Sequence, residues 1–173
     1  WETQQPLHNF LVTATPGAGK TLFALRLAHQ LLESNRVDFI IIVCPTSHLR
    51  KQWADKAHFV GIDIDAEWQN VDGTVSNDFR GMAITYHAAA SELTTPSLRR
   101  ICMRRNVLVI LDEIHHAGEG RAWGDAINQA FEKAKYRLPM SGTPFRSDNH
   151  KIPFIRYDQN FSFADFSYGY ADA

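Results

Sequence analysis

Val107 to Leu111 is an unbroken apolar run that stops abruptly at Asp112-Glu113. A strand with one wet face alternates apolar and polar side chains, whereas an unbroken run requires cover on both faces. Phe39 to Val43 repeats the pattern with β-branched residues. Strands of this kind belong in a parallel sheet with helices on both sides, because parallel neighbours need a crossover and the crossover is usually a helix. The intervening segments supply those helices. Thr21 to Leu32 suits one; Leu49, Trp53 and Ala57 recur at i, i+4, i+8 as on the face of a second. Thr95-Pro96 reads as the N-cap and first turn of a third reaching about Arg105, and Ala126 to Ala134 reads as a fourth. Phe10 to Val12, Met82 to Thr85 and Tyr136 to Met140 read as shorter strands. The polar stretch from Gly61 to Phe79 reads as a loop with an edge strand. The expectation is a three-layer α/β domain with a mainly parallel central sheet.

The length of 173 residues suits one domain with a sizeable core. Eighteen basic residues against 19 acidic ones leave no overall positive field, so any grip on nucleic acid has to be local. Cys44 and Cys102 are too few for a disulfide framework and read as reduced core thiols, which predicts a cytoplasmic protein. The apolar run from Phe39 to Cys44 falls far short of the roughly 18 residues of a membrane span. The start, Trp1-Glu2-Thr3, carries no basic stretch followed by an apolar one, so no leader is expected.

In parallel sheets ligands bind at the C-terminal ends of the strands. The first such end reads Ala14-Thr15-Pro16-Gly17-Ala18-Gly19-Lys20-Thr21, a phosphate-binding loop with Ala where the general pattern has Gly. Glycines let successive backbone N–H groups turn inward around phosphate oxygens, and the helix that follows adds partial positive charge. Thr15, Pro16, Gly17, Ala18 and Gly19 would cradle ATP, Lys20 would reach the β- and γ-phosphates, and the Thr21 hydroxyl would ligate Mg²⁺. The second end delivers Asp112 and Glu113. Asp112 fits the residue that holds Mg²⁺, and Glu113 can orient or deprotonate water. A carboxylate pair after a strand can also cap a helix; a phosphate loop in the same sheet favours catalysis.

These residues carry a resemblance. Asp112-Glu113-Ile114-His115 resembles the DExH form of motif II in superfamily 2 helicases and translocases, and Ala14 to Thr21 resembles their motif I. Pro45-Thr46 with Leu49 and Gln52-Trp53 is similar to motif Ia, and Thr85-Tyr86-His87 to the motif Ib-type segment of relatives resembling XPB, UvsW and restriction-enzyme motor subunits. Ser141-Gly142-Thr143-Pro144-Phe145-Arg146 is similar to motif III of the same branch. The resemblance implies a RecA-like P-loop ATPase domain over residues 1–146, with 147–173 an aromatic extension leading toward a second RecA-like domain. It implies that Lys20, Asp112, Glu113 and His115 are catalytic, and that His115, Ser141 and Thr143 couple the nucleotide state to motion. It also implies that DNA, rather than RNA, is the partner. Nothing after Arg146 resembles motifs IV to VI, so slow hydrolysis is expected of this stretch alone.

Several local features keep two readings. Thr46 and Ser47 can grip a backbone phosphate or simply cap a helix; for Pro45, Thr46 and Thr85 the resemblance implies a nucleic-acid or coupling role. Ser141 and Thr143 can form a turn before Pro144. Arg50 and Lys51 fit phosphate contact or an exposed helix face. Arg99, Arg100, Arg104 and Arg105 suit the dipole at a helix C-terminus as a solvated face, with a phosphate patch as the other reading. His116 reads as a solvent-facing histidine. The aromatic segment from Phe145 to Tyr170 lacks clear strand or helix periodicity and reads as packing on a sheet edge or a neighbouring domain, with base stacking as the lesser alternative. A nucleotide-dependent switch without motor activity, or the motor part of a restriction-type complex, are the competing functions.

Overall fold

The computed structural model describes residues 8–15, 17–70, 75–118, 121–142, 152–158 and 161–168. Along the chain run β1 (Val12–Ala14), α1 (Lys20–Glu33), β2 (Phe39–Cys44), α2 (Ser47–Phe59), β3 (Ile64–Asp65), β4 (Gly81–Thr85), α3 (Tyr86–Ala89) and α4 (Thr95–Arg104). Then come β5 (Val107–Leu111), a 3-10 helix (Ile114–Gly118), α5 (Arg121–Phe131), β6 (Tyr136–Ser141), β7 (Arg156–Asp158), β8 (Phe161–Phe163) and β9 (Phe166–Tyr168). Seven strands form one sheet in the order β3-β4-β2-β5-β6-β1-β9, and every pairing within it is parallel. β7 and β8 make a separate antiparallel pair.

The unbroken apolar runs occupy the centre, as their composition requires. In β2, Ile40, Ile42 and Cys44 pack with α1 and α2 residues Ala24, Leu25, Ala28, Trp53 and Ala57. The alternate residues Phe39, Ile41 and Val43 pack on the opposite face with Leu98 and Ile101 of α4 and Ile127 and Phe131 of α5. β5 divides likewise, Leu108 and Ile110 to one layer and Val107, Val109 and Leu111 to the other. This is the three-layer α/β architecture expected, with a period of two sorting each strand between two helix layers. Each fully buried aliphatic side chain contributes about 1.5–3 kcal/mol, so the sheet is a rigid frame for its strand ends.

Some boundaries move. β1 begins at Val12 instead of Phe10, because residues 9 and 10 lie beyond the parallel ladder, with Asn9 making only an isolated bridge to Arg137. α4 is capped by Thr94, and Thr95 is already helical, its hydroxyl donating to Ala89 O at 2.9 Å. α5 starts and ends earlier than its alanine pattern suggested, closing through the Ala134 N to Phe131 O bond. The four arginines around the end of α4 are not all a free solvated face. Arg99 pairs with Glu132, Arg100 donates to Ser97 Oγ, and Arg105 pairs with Asp38 while lying over the Phe39 ring.

The aromatic segment also takes a definite place where it is described. β9 adds to the free edge of β1, with Val12, Thr13 and Ala14 opposite Phe166, Ser167 and Tyr168. Asp165 fastens this edge, accepting from Leu11 N at 2.8 Å and pairing with Arg156. Phe166 stacks on Phe23 of α1, rings nearly parallel and 6.3 Å apart. Among the described residues no helix is long and apolar enough to cross a membrane. Cys44 and Cys102 are buried free thiols, and burial pushes both up to about 12.

Candidate functional site

The parallel registers bring five loops to one edge of the sheet. Cys44 is level with Thr85, Val43 with Leu111, and Thr13 with Ser141. The segments singled out in the sequence therefore start from neighbouring strand ends.

At the end of β1 the chain turns sharply into α1. Gly17 and Gly19 sit at φ of +83° and +82°, backbone that residues with a Cβ rarely adopt, and Gly19 is the N-cap of α1 with no side-chain cap. The loop closes on itself through Ala18 N to Thr15 O at 3.1 Å. Its far side is tied to β9, since Thr15 N donates to Tyr168 O at 3.2 Å. Lys20 folds back across the loop and donates to Ala14 O at 2.7 Å, a contact that a phosphate oxygen could replace. Pro16 lies outside the described residues.

At the end of β5 the carboxylates are held in different ways. Asp112 Oδ2 accepts from the Trp53 indole N–H at 2.9 Å, and Asp112 O accepts from the Tyr86 hydroxyl at 2.9 Å. Asp112 N donates to Val43 O, so the backbone there is pinned from both sides. Burial pushes the Asp112 carboxyl above its ordinary value; the Trp53 N–H opposes this, the Glu113 charge adds to it, and Lys20 opposes it. Burial raises the Tyr86 hydroxyl well above its usual range as well, so it stays a donor.

Glu113 has φ +48°, a left-handed backbone that costs a residue with a side chain about 1–2 kcal/mol. The turn swings its carboxylate toward β6. There Oε2 accepts from Gly142 N at 2.9 Å, while Oε1 lies 3.8 Å from Lys20 Nζ. Gly142 is where this approach is tightest: a Cβ would stand 3.3 Å from Glu113 Oε1 and 3.5 Å from Lys20 Nζ. His115 Nδ1 lies 3.6 Å from Glu113 Oε2 and 3.3 Å from the buried Ser141 Oγ, with the imidazole tautomer setting which partner donates. The His115 and His116 rings are 4.4 Å apart, so His116 packs as well as facing solvent.

A cleft of about 580 Å³ opens between the two strand ends, lined by Gly17, Gly19, Lys20, Thr21, Asp112 and Glu113 and continuing between α1 and α2. Thr21 and Asp112 offer it hard oxygen atoms, the donors that Mg²⁺ takes. Among the described residues no group of three or more metal-ligating side chains forms. An ion there would share its coordination with phosphate oxygens and water, which is how Mg²⁺ is usually held beside a nucleotide.

Pro45, Thr46 and Thr85, predicted to meet nucleic acid, sit on the same edge. Thr46 is the exposed N-cap of α2 and makes no side-chain capping bond, so simple capping does not account for its hydroxyl. Thr85 does cap, its Oγ1 accepting from Ala88 N at 3.2 Å. Pro45 is half-buried beside Thr46, and Thr143 lies outside the described residues. Arg50 is neither a free phosphate ligand nor a solvated side chain: it donates to Ala83 O at 3.0 Å and Trp68 O at 3.4 Å. Trp53, Tyr86 and Gly142 are the site residues whose roles the sequence did not disclose. Each belongs to a recognised segment, but their contacts reach across 59, 26 and 29 positions of chain.

The profile of the family described as "Type III restriction enzyme, res subunit" matches residues 1–146. An uncharacterized protein of Mycobacterium tuberculosis is 44% identical over 171 residues, covering 95% of this chain and 28% of that protein. The chain thus spans little more than a quarter of the curated relative it matches. The Sulfolobus solfataricus SWI2/SNF2 ATPase core in complex with dsDNA superposes with a TM-score of 0.65 at 18% identity, over 80% of this chain and 28% of that one. The Pyrococcus furiosus Hef helicase domain gives 0.64 at 19% identity, over 83% and 32%. The likeness to these two structures is one of fold: a RecA-like domain built on the same parallel sheet. The family match then places the chain: it belongs to the type III restriction enzyme res-subunit family.

Proposed function

We propose that this chain is the ATP-binding lobe of a nucleic-acid translocase or helicase that acts on DNA and closes on a second RecA-like domain. The observation that carries the proposal is the convergence of Lys20, Thr21, Asp112 and Glu113 on one cleft. The Gly17 and Gly19 N–H groups, the open N-terminus of α1 and the Lys20 ammonium bind the β- and γ-phosphates. Thr21 Oγ1 and the Asp112 carboxylate hold Mg²⁺, which supplies charge neutralisation at the phosphate oxygens when bound. Glu113 takes the proton of the attacking water, and the Gly142 N–H and the left-handed turn at residue 113 hold its carboxylate for that role. His115 sits within reach of both Glu113 and Ser141, and so couples the state of Glu113 to β6. On the nucleic-acid side, the unused Thr46 hydroxyl and the open N-terminus of α2 receive a backbone phosphate, with Pro45, Thr85 and Thr143 alongside. DNA is preferred to RNA because the matched SWI2/SNF2 core was seen with dsDNA and the family is named for restriction enzymes.

The test is Glu113→Gln in the longer parent protein. A general base contributes roughly 10²–10⁴-fold, so turnover should fall by about that factor while ATP binding persists. Unchanged turnover would remove Glu113 from its role, and ATP binding without any hydrolysis in the wild type would favour a nucleotide-dependent switch.

A further inference from the structure

We infer that Trp53 is a positioning residue for the metal-holding carboxylate, and that it ties the nucleic-acid end of α2 to the Mg²⁺ end of β5. The inference rests on the proposed role of Asp112. Trp53 is 2% exposed, and its only polar atom, Nε1, donates to Asp112 Oδ2 at 2.9 Å. The indole ring is wedged into the layer formed by Ala24, Leu25, Ala57, Ile42 and Ile110, so the donor has one direction available. A carboxylate free to rotate about its Cβ–Cγ bond presents its oxygens in many directions. With Oδ2 held, Oδ1 is left to face the cleft in a fixed orientation. Outer partners that orient a metal-ligating group in this way typically matter by 10–100-fold in metal affinity.

The position of Trp53 on α2 gives the contact a second meaning. Thr46 stands at the N-cap position of the helix with its hydroxyl making no capping bond, and Trp53 lies two turns further along. α2 is one rigid element, so a shift of its N-terminus on a nucleic-acid phosphate moves the indole N–H against Asp112. A parallel tie comes from the neighbouring strand end, where Thr85 caps α3 and the next residue, Tyr86, donates to Asp112 O. That bond orients the peptide joining Asp112 to Glu113, and so the turn at Glu113 as well. The Thr46 and Thr85 segments, both proposed to meet nucleic acid, therefore each carry an aromatic donor to Asp112.

The experiment is a Mg²⁺ titration of fluorescent ATP-analogue binding to this chain, comparing wild type with Trp53→Phe, which keeps an aromatic ring and removes the donor. The wild type should bind in a Mg²⁺-dependent manner, and W53F should need about 10-fold more Mg²⁺ for half-maximal binding, with binding in EDTA unchanged. A W53F midpoint equal to wild type overturns the inference and leaves the nucleotide site standing. A wild type that binds no nucleotide, or binds without regard to Mg²⁺, overturns the proposed function instead, and the inference with it. If W53F melts below the assay temperature, the Trp53 indole N–H resonance of the wild type decides, assigned by elimination of Trp1, Trp68 and Trp123. A shift when Mg²⁺ joins the nucleotide-bound protein supports the inference; an unmoved resonance overturns it.

Discussion

The two walls of the cleft are built by opposite means. The loop after β1 is made of consecutive residues, and what it offers a phosphate is mostly backbone: N–H groups exposed by two left-handed glycines, a helix N-terminus and one lysine. The wall after β5 is made of two carboxylates held largely by residues from elsewhere in the chain. Trp53 holds one oxygen of Asp112, Tyr86 its carbonyl, and Gly142 the carboxylate of Glu113. A loop that recognises charge through its own backbone needs little support. A carboxylate that must face an ion or a water needs its rotamer set by neighbours, and those neighbours must be dry to hold it.

That contrast can be broken first on the loop side. Lys20→Ala removes a charged hydrogen-bond donor worth about 1.5–3 kcal/mol, so ATP affinity should fall roughly 10- to 150-fold with little loss of fold, as read by calorimetry and thermal melting. Equal affinity in K20A would mean the backbone alone carries recognition. On the other wall, Gly142→Ala should leave ATP affinity near wild type and lower turnover roughly three- to ten-fold. The added Cβ, 3.3 Å from Glu113 Oε1, displaces the carboxylate by a few tenths of an ångström, and about 1 Å of misplacement can cost 10²-fold. A drop in affinity as large as that of K20A would show that the two walls are not separable.

This difference also explains what the sequence disclosed. The loop, the Asp112-Glu113 pair and the buried strands are legible because each is a run of adjacent residues with a physical reason for its order. The sheet follows from Phe39 to Val43 and Val107 to Leu111, which tolerate water on neither face. Trp53 reads in the sequence as an apolar position on a helix face within the motif Ia-like segment, and its contact stays hidden because burial and the indole N–H leave the same trace whether or not an acceptor waits 59 positions away. Arg50 and the arginines of α4 and just beyond it keep two readings in the sequence for the same reason: a cation's partner, whether backbone carbonyl, hydroxyl or carboxylate, is chosen by the fold. β9 escaped detection because three residues are too few to show a period of two.

The smallest effect tests the strain on the carboxylate wall. Glu113→Gly relieves the left-handed backbone at φ +48° and should raise stability by up to about 1 kcal/mol in denaturant unfolding, although the proposed general base is lost. A destabilised E113G would mean the Gly142 and Lys20 contacts outweigh the backbone strain.

The central question is whether both walls meet on one magnesium nucleotide. Calorimetric titration of ATP into wild type and Asp112→Asn, each in Mg²⁺ and in EDTA, asks this directly. Wild type should bind at least about 10-fold more tightly with Mg²⁺ than without, and D112N should lose most of that difference while keeping its binding in EDTA. A D112N protein with the full Mg²⁺ dependence of wild type would contradict the assignment of the β5 wall to the metal.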